Sequence, residues 1–264
     1  MDLKIEKKIA LVTGSTAGIG LAIGAELARE GATVYINGRS EARVNEALTK
    51  IRKMDIKGDV RGIVADAATK EGALKITSQI PQLDILVNNL GIYEVKPFEE
   101  ITDEDWLRIF EINVLSGIRL SRTYLPLMKA QNWGRIIFIS SESAVNVPKE
   151  MIHYGVTKTA QISLARGLAE TTSGTGVTVN SVLPGPTLSE GVEKYIEQVA
   201  TSRGIETQAA EQEFFKNIRP SSLIQRFATS EEVAHLVTYL ASPLSSATNG
   251  AAVRVDGGVL RSII

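Results

Sequence analysis

Cysteine is absent from the 264 residues, and histidine occurs only twice. Without a thiol there is no disulfide framework, no thiolate nucleophile, no Cys-ligated zinc and no iron–sulfur cluster, and a reducing compartment is tolerated. Neither His153 nor His235 carries a ligand pattern around it, so no metal site is expected. Charge of one sign is missing as well: 29 Lys and Arg stand against 30 Asp and Glu. That balance provides no basic face for nucleic acid or for an anionic membrane. Long hydrophobic runs are missing too, since none approaches the roughly 18 residues that a bilayer crossing takes. The opening stretch Met1 to Ser15 scatters charges through its first eight residues, which fits neither a signal peptide nor a transmembrane start. Cytoplasmic residence is the resulting expectation.

What is present is a regular alternation. Ile9 to Thr13, Thr33 to Asn37, Gly62 to Ala65, Ile85 to Val87, Arg135 to Ser140, Val177 to Leu183 and Ala252 to Val255 have strand length and β-branched composition. Between them apolar residues recur every three or four positions, as in Ile19, Ile23 and Leu27, or Val233, Leu236, Val237 and Leu240, which is the stripe of a helix with one buried face. Gly31 is placed to stop the first helix, and Thr102 with Asp105 and Thr229 with Glu232 have capping-box spacing. The strands are apolar almost throughout, as a parallel sheet covered on both faces requires. The prediction is an α/β, doubly wound, seven-stranded parallel sheet with helices on both faces. It forms one domain over residues 1–264, with Leu188 to Leu223 as its one long strandless insertion.

The first strand runs into Thr13, Gly14, Ser15, Thr16, Ala17, Gly18, Ile19 and Gly20, and then directly into a helix. Three glycines at this spacing allow a tight turn, bring backbone N–H groups close to a pyrophosphate and place the positive end of a helix beside it. No Gly-Lys-Ser/Thr follows, which removes the usual phosphoryl-transfer loop. The second strand ends in Asn37, Gly38 and Arg39, with Gly38 where an acid usually binds the ribose hydroxyls of NAD. Losing that acid removes repulsion toward a 2′-phosphate, and Arg39 offers a planar fork to hold one. NADP(H) is therefore favoured, with NAD(H) as the alternative.

Tyr154 and Lys158 are four residues apart in a helix expected over Met151 to Thr172, so phenol and ammonium share one face. Carbonyl reduction needs a proton donor beside the oxygen, and an ordinary phenol with a pKa of about 10 is poorly matched to neutral pH. A positive charge at about 4 Å in an effective dielectric near 20 contributes about 4 kcal/mol, roughly three pKa units, before burial opposes it. The expectation is that Lys158 brings Tyr154 toward neutrality.

Taken together, these motifs resemble a short-chain dehydrogenase/reductase, from Lys7 to Gly258. The family's TGxxxGIG stands as Thr13 to Gly20, its NNAG as Asn88 to Gly91, and its helix-borne Asn as Asn113; its Ser, thirteen residues before Tyr154, falls on Ser141. Pro184 and Gly185 match the loop beside the nicotinamide, with Thr187 near the carboxamide, and Asp66 matches the position that meets the adenine ring. The resemblance implies a Rossmann fold with strand order 3-2-1-4-5-6-7. It further implies a catalytic set in which Tyr154 transfers the proton, Lys158 tunes Tyr154 and holds the nicotinamide ribose, Ser141 bonds the carbonyl oxygen and Asn113 supports a water relay. Gly14, Ser15, Thr16, Gly18, Ile19, Gly20, Arg39, Asp66, Asn89, Gly91, Pro184, Gly185 and Thr187 would join Tyr154 and Lys158 in holding the cofactor. Two departures stand out: Leu90 replaces the small residue of NNAG, and Ala17 stands where many NADP-preferring relatives have Lys or Arg.

The expected substrate is a small carbonyl or secondary alcohol, with a 3-oxoacyl group among the candidates; an NAD-dependent sugar or polyol dehydrogenase is the alternative, and a non-catalytic dinucleotide sensor the alternative of another class. Leu188 to Leu223, Tyr93 to Phe98 and Ala144 to Ile152 should set substrate choice. His153 beside Tyr154 reads as a packing or solvent-facing residue and not as a second acid. The resemblance further implies a homotetramer through the helices over Asp103 to Ala130 and Met151 to Thr172, and the apolar end Leu260, Ile263 and Ile264 suggests cover by another subunit.

Overall fold

The computed structural model describes residues 2–263. The chain alternates β1 (Ile9–Val12), α1 (Gly18–Arg29), β2 (Thr33–Gly38), α2 (Glu41–Arg52), β3 (Asp59–Val64), α3 (Lys70–Gln79) and β4 (Ile85–Asn88). It continues through α4 (Asp103–Phe110), α5 (Ser116–Ala130), β5 (Gly134–Ile139), α6 (Ile152–Glu170) and β6 (Val177–Pro184). After these come β7 (Thr187–Leu188), α7 (Glu190–Arg203), α8 (Thr207–Asn217), β8 (Ala228–Thr229), α9 (Ser230–Ala241) and β9 (Ala252–Val255).

Seven strands pair in parallel in the order β3-β2-β1-β4-β5-β6-β9. This is the expected order, with β9 as the seventh strand. Successive strand residues point to opposite faces. Ala10, Val12, Ile137 and Ile139 pack with Ile23 and Leu27 of α1, Val44 and Leu48 of α2 and Val233 and Val237 of α9. Leu11, Ile136 and Phe138 face the other way, onto Ile76 of α3, Leu120 and Tyr124 of α5 and Ala165 of α6. Helix ends follow local chemistry: Gly31 takes the left-handed conformation just past α1, and both predicted capping boxes form at Thr102 and Thr229.

Three details differ from the sequence reading. β3 begins at Asp59, not Gly62, because it is an edge strand whose Asp59 and Arg61 stay exposed while Val60 points inward. The helix expected over Asp103 to Ala130 contains a π turn at Glu111–Leu115. The segment read as strandless is bracketed by a two-residue parallel pair, Thr187 with Ala228 and Leu188 with Thr229. Within that bracket α7 and α8 form their own small core, in which Phe214, Phe215 and Phe227 stack at 4.9–5.1 Å between ring centroids. Of the apolar chain end, Leu260 is buried within its own subunit, Ile263 is exposed, and Ile264 lies outside the described residues. Among the described residues no helix is long and apolar enough to cross a membrane.

Candidate active site

The carboxyl ends of β1, β4, β5 and β6 share one sheet edge, and the order reverses between β1 and β4, where a crevice opens. The loop after β1 enters that crevice. Gly14 and Gly18 have φ of 59° and 53°, a region that a side chain strains. A Cβ on Gly20 would lie 2.5 Å from Asn89 Nδ2 and 2.7 Å from the Gly14 carbonyl, so helix and loop pack backbone to backbone. α1 starts at Gly18, with Ala17 as its N-cap residue, no side-chain cap and no acid in its first turn. Its first N–H groups are thus left for an anion. Ala17, Gly18, Ile19 and Gly20 line a cleft of about 450 Å³ whose other walls include Arg43, Asn89, Gly91 and the start of α7 from Ser189 to Gly191. These features fit a dinucleotide pyrophosphate.

Other residues of the expected cofactor set take different places. Ser15 is fully buried; its N–H donates to the Asn37 carbonyl, and its hydroxyl donates to the Val12 carbonyl and accepts from the Asn37 N–H. Both of its donors are used inside the protein, so Ser15 shapes the loop instead of offering hydrogen bonds to a ligand. Asn89 donates to the carbonyls of Thr13 and Gly14, tying β4 to the glycine loop while it still lines the cleft. Leu90 fits where a smaller residue was expected, its Cδ1 3.2 Å from the position a Gly14 Cβ would take. Thr16 explains the missing acid: a Cβ at Gly38 would lie 2.5 Å from Thr16 Cγ2 and 3.3 Å from Val44 Cγ2. Arg39 and Asp66 meet at the outer end of the crevice, Nη1 to Oδ2 3.9 Å, with Arg39 77% exposed. Past β6, Gly185 runs against the Asp256 backbone too closely for a Cβ, and the Thr187 hydroxyl donates to the Gly185 carbonyl.

The second half of the site lies where α6 passes the end of β5. Ser141 lies two residues past that strand and caps a short turn, Glu142–Ala144, accepting from the Ser143 N–H. Tyr154 and Lys158 sit one turn apart on α6, as their spacing predicts, with Lys158 Nζ 5.5 Å from the Tyr154 ring centroid. Lys158 is buried and donates to the Ile139 carbonyl (2.8 Å) and to Gln161 Oε1 (3.2 Å). Gly91 leaves room for it: a Cβ there would lie 3.3 Å from Lys158 Nζ and 3.5 Å from Asn113 Oδ1. Asn113, in the π turn, donates to the Ile92 carbonyl and to Thr157 Oγ1 and accepts from the Ile92 N–H, which fixes the loop after β4 against α6. Its backbone carbonyl accepts from Gln161 Nε2 at 2.5 Å. The residue that the resemblance implies for a water relay thus has both its side chain and its carbonyl engaged by groups of this protein.

The electrostatics correct the simple picture of Lys158 acting on Tyr154. Burial foremost, opposed by a hydrogen bond with Ser141 and reinforced by Glu142 and Tyr93, raises the phenol to about 12. Burial also brings Lys158 down to about 7. Both groups are pushed toward their neutral forms, because burial disfavours the charged form of each. Glu142 and Arg219 were missed in the sequence. Glu142 is buried beside Ser141, its Oε1 accepts from Arg219 Nε at 3.0 Å, and burial raises its pKa against the pull of that guanidinium. His153 is buried edge-on to Trp106 with both ring nitrogens unpartnered, and burial lowers its pKa, so it packs as neutral imidazole. No cluster of three metal-ligating side chains occurs among the described residues.

A family model for short chain dehydrogenases matches residues 8–200. The chain belongs to that family. Among its relatives, the uncharacterized oxidoreductase YvaG of Bacillus subtilis (strain 168) is 49% identical over the full length of both chains. D-beta-hydroxybutyrate dehydrogenase of Cupriavidus necator is 34% identical, covering 95% of this chain and 97% of that one. Among solved structures, L-sorbose reductase of Gluconobacter frateurii, complexed with NADPH and L-sorbose, superimposes with a TM-score of 0.92 at 32% identity over all of both chains. The protein is therefore a short-chain dehydrogenase/reductase oxidoreductase with a nucleotide-binding Rossmann fold.

Proposed function

We propose that this short-chain dehydrogenase is an NADP(H)-dependent oxidoreductase that interconverts a small carbonyl compound and its secondary alcohol. The observation that carries the reading is the convergence of Ser141, Tyr154 and Lys158 at one end of the crevice whose other end holds the uncapped start of α1. Bound nicotinamide supplies or accepts the hydride. Ser141 donates a hydrogen bond to the substrate oxygen. Tyr154 gives its proton to that oxygen in reduction and takes it back in oxidation, and Lys158 steadies the phenolate so formed. A phenol held near 12 loses its proton readily only when charge has developed on its partner, which suits a donor that must remain protonated until hydride arrives.

Preference for NADP(H) is supported by the exclusion of an acid at Gly38, by Arg39 beside it, and by Arg43. Arg43 lines the same cleft as Ala17, and its guanidinium, 3.3 Å from Glu190, offers the second cation that Ala17 lacks. The buried Glu142–Arg219 pair makes the substrate side polar, which favours a hydroxylated ketone over a long acyl chain. Leu107, Leu115 and Leu127 on α4 to α5 and Val156 on α6 are exposed, and we place them at the contacts of a homotetramer. Light scattering at micromolar concentration checks this; a monomeric mass removes it.

The test of the activity is a panel of small ketones, ketoses and 3-oxoacyl esters with NADPH and with NADH, run on wild type and Tyr154→Phe. Turnover should fall by at least about a hundredfold in the variant. Unchanged turnover in Tyr154→Phe overturns the proton-transfer role, and NADPH binding with no turnover of any compound favours a dinucleotide sensor.

A further inference from the structure

Gln161 lies one helical turn beyond Lys158 on α6, is 1% exposed, and uses both ends of its amide. Oε1 accepts from Lys158 Nζ, and Nε2 donates to the carbonyl of Asn113. That carbonyl belongs to the π turn Glu111–Leu115. A π turn displaces carbonyls from the regular helical ladder, and two in this one, Ile112 and Asn113, accept side-chain donors, from Ser116 Oγ at 2.6 Å and from Gln161 at 2.5 Å. The turn and the glutamine are therefore matched parts of one contact between α5 and α6.

We propose that Gln161 is a positioning residue of the active site: it clamps Lys158 to the Asn113 carbonyl, so that the amine is held against Tyr154 by protein groups on two sides. The second side is the Ile139 carbonyl at the end of β5. The inference rests on the reading of Tyr154 and Lys158 as the proton-handling pair and adds a claim of its own, about what supports the charge on Lys158. A carboxamide supports an ammonium through its oxygen, but it passes a proton onward only by adopting its imidic form. Gln161 therefore supports the amine and does not relay its proton toward Asn113. The other titratable groups near this pocket are Tyr93 after β4, Glu142 with Arg219, and Asp256 after β9; their influence falls on Tyr154 and Glu142, while burial acts on Lys158.

The experiment follows Lys158 directly and needs no substrate. The ε-methylene resonance of isotopically labelled lysine, assigned by its loss in Lys158→Arg, is titrated in wild type, Gln161→Leu and Gln161→Glu. Leucine removes an acceptor from a buried cation and should lower the midpoint by about one to two pH units. Glutamate places a negative charge beside the amine and should raise it. A purely structural role predicts no such opposition, and glutamate retains the size of the side chain should the leucine variant unfold. Shifts in the same direction, or a midpoint that stays put in both variants, overturn the clamp. Turnover in Tyr154→Phe tests the pair separately: opposed shifts at Gln161 alongside an active Tyr154→Phe would remove the catalytic reading and leave the clamp standing.

Discussion

Replacing Arg39 with alanine should separate the two dinucleotides, and the size of the effect follows from where the side chain sits. Arg39 follows Gly38 at the end of β2 and is 77% exposed, with Asp66 Oδ2 at 3.9 Å as its countercharge. An ion pair this exposed contributes little on its own, so a 2′-phosphate can draw the guanidinium away at small cost. A charged hydrogen bond contributes about 1.5–3 kcal/mol, and the exposure selects the lower end, about tenfold in affinity. Removing Arg39 also leaves Asp66 uncompensated, and its carboxylate then repels the phosphate. NADPH should bind about ten- to thirtyfold more weakly to Arg39→Ala, while NADH changes by less than about twofold. Fluorescence titration with each reduced dinucleotide measures this without a substrate, and the difference should shrink at high salt. Equal weakening of both dinucleotides refutes the reasoning.

Gly20→Ala should weaken both dinucleotides alike, because its Cβ would press on Asn89 Nδ2 and the Gly14 carbonyl and open the glycine loop; the same titration checks it. Arg135, fully buried and 4.7 Å over the Trp133 ring, donates to the carbonyls of Gly134, Gly176 and Ser242. Arg135→Leu leaves these without that donor and should cost about 3 kcal/mol or more in chemical denaturation. Stability should depend on pH through Lys158, whose pKa is lowered from 10.5 to about 7 in the fold. Between those values the unfolded chain binds more protons, so stability rises with pH, and the rise should flatten in Lys158→Met. Above about 10 the unfolded tyrosine ionises ahead of Tyr154, held near 12, and stability turns downward.

Where the sequence could be read, burial explains why. β4, β5 and β6 are buried at every position, so their apolar residues cluster without the alternation of a half-exposed strand, even with Arg135, Thr178, Asn180 and Ser181 buried among them. β3 is an edge strand and follows a different rule: with one side open, its exposed Asp59 and Arg61 look like loop residues, and the predicted strand starts three residues late. The pairing of β7 with β8 involves two residues a side, too few for any period to show. The π turn is hidden for another reason. Phe110, Val114 and Ile118 keep the four-residue spacing of an ordinary helix, and nothing in that stripe records an extra residue in the turn.

The candidate site divides along the same line. Spacing alone places Tyr154 and Lys158 on one face, and a glycine triplet between a strand and a helix marks the nucleotide end, because both depend only on local geometry. Protonation is a property of surroundings assembled from the whole chain. Glu142 raises Tyr154, and Glu142 is itself held by Arg219, 77 residues away in sequence. Lys158 is supported by Gln161 on its own helix, but Gln161 is fixed by Asn113, 48 residues earlier. The missing acid at the end of β2 has the same character. Gly38 is legible as an absence, and its surroundings come from the glycine loop, whose Thr16 methyl lies 2.5 Å from the place a Gly38 Cβ would take. One loop conformation thereby sets both the uncapped start of α1 and the crowding beside Gly38.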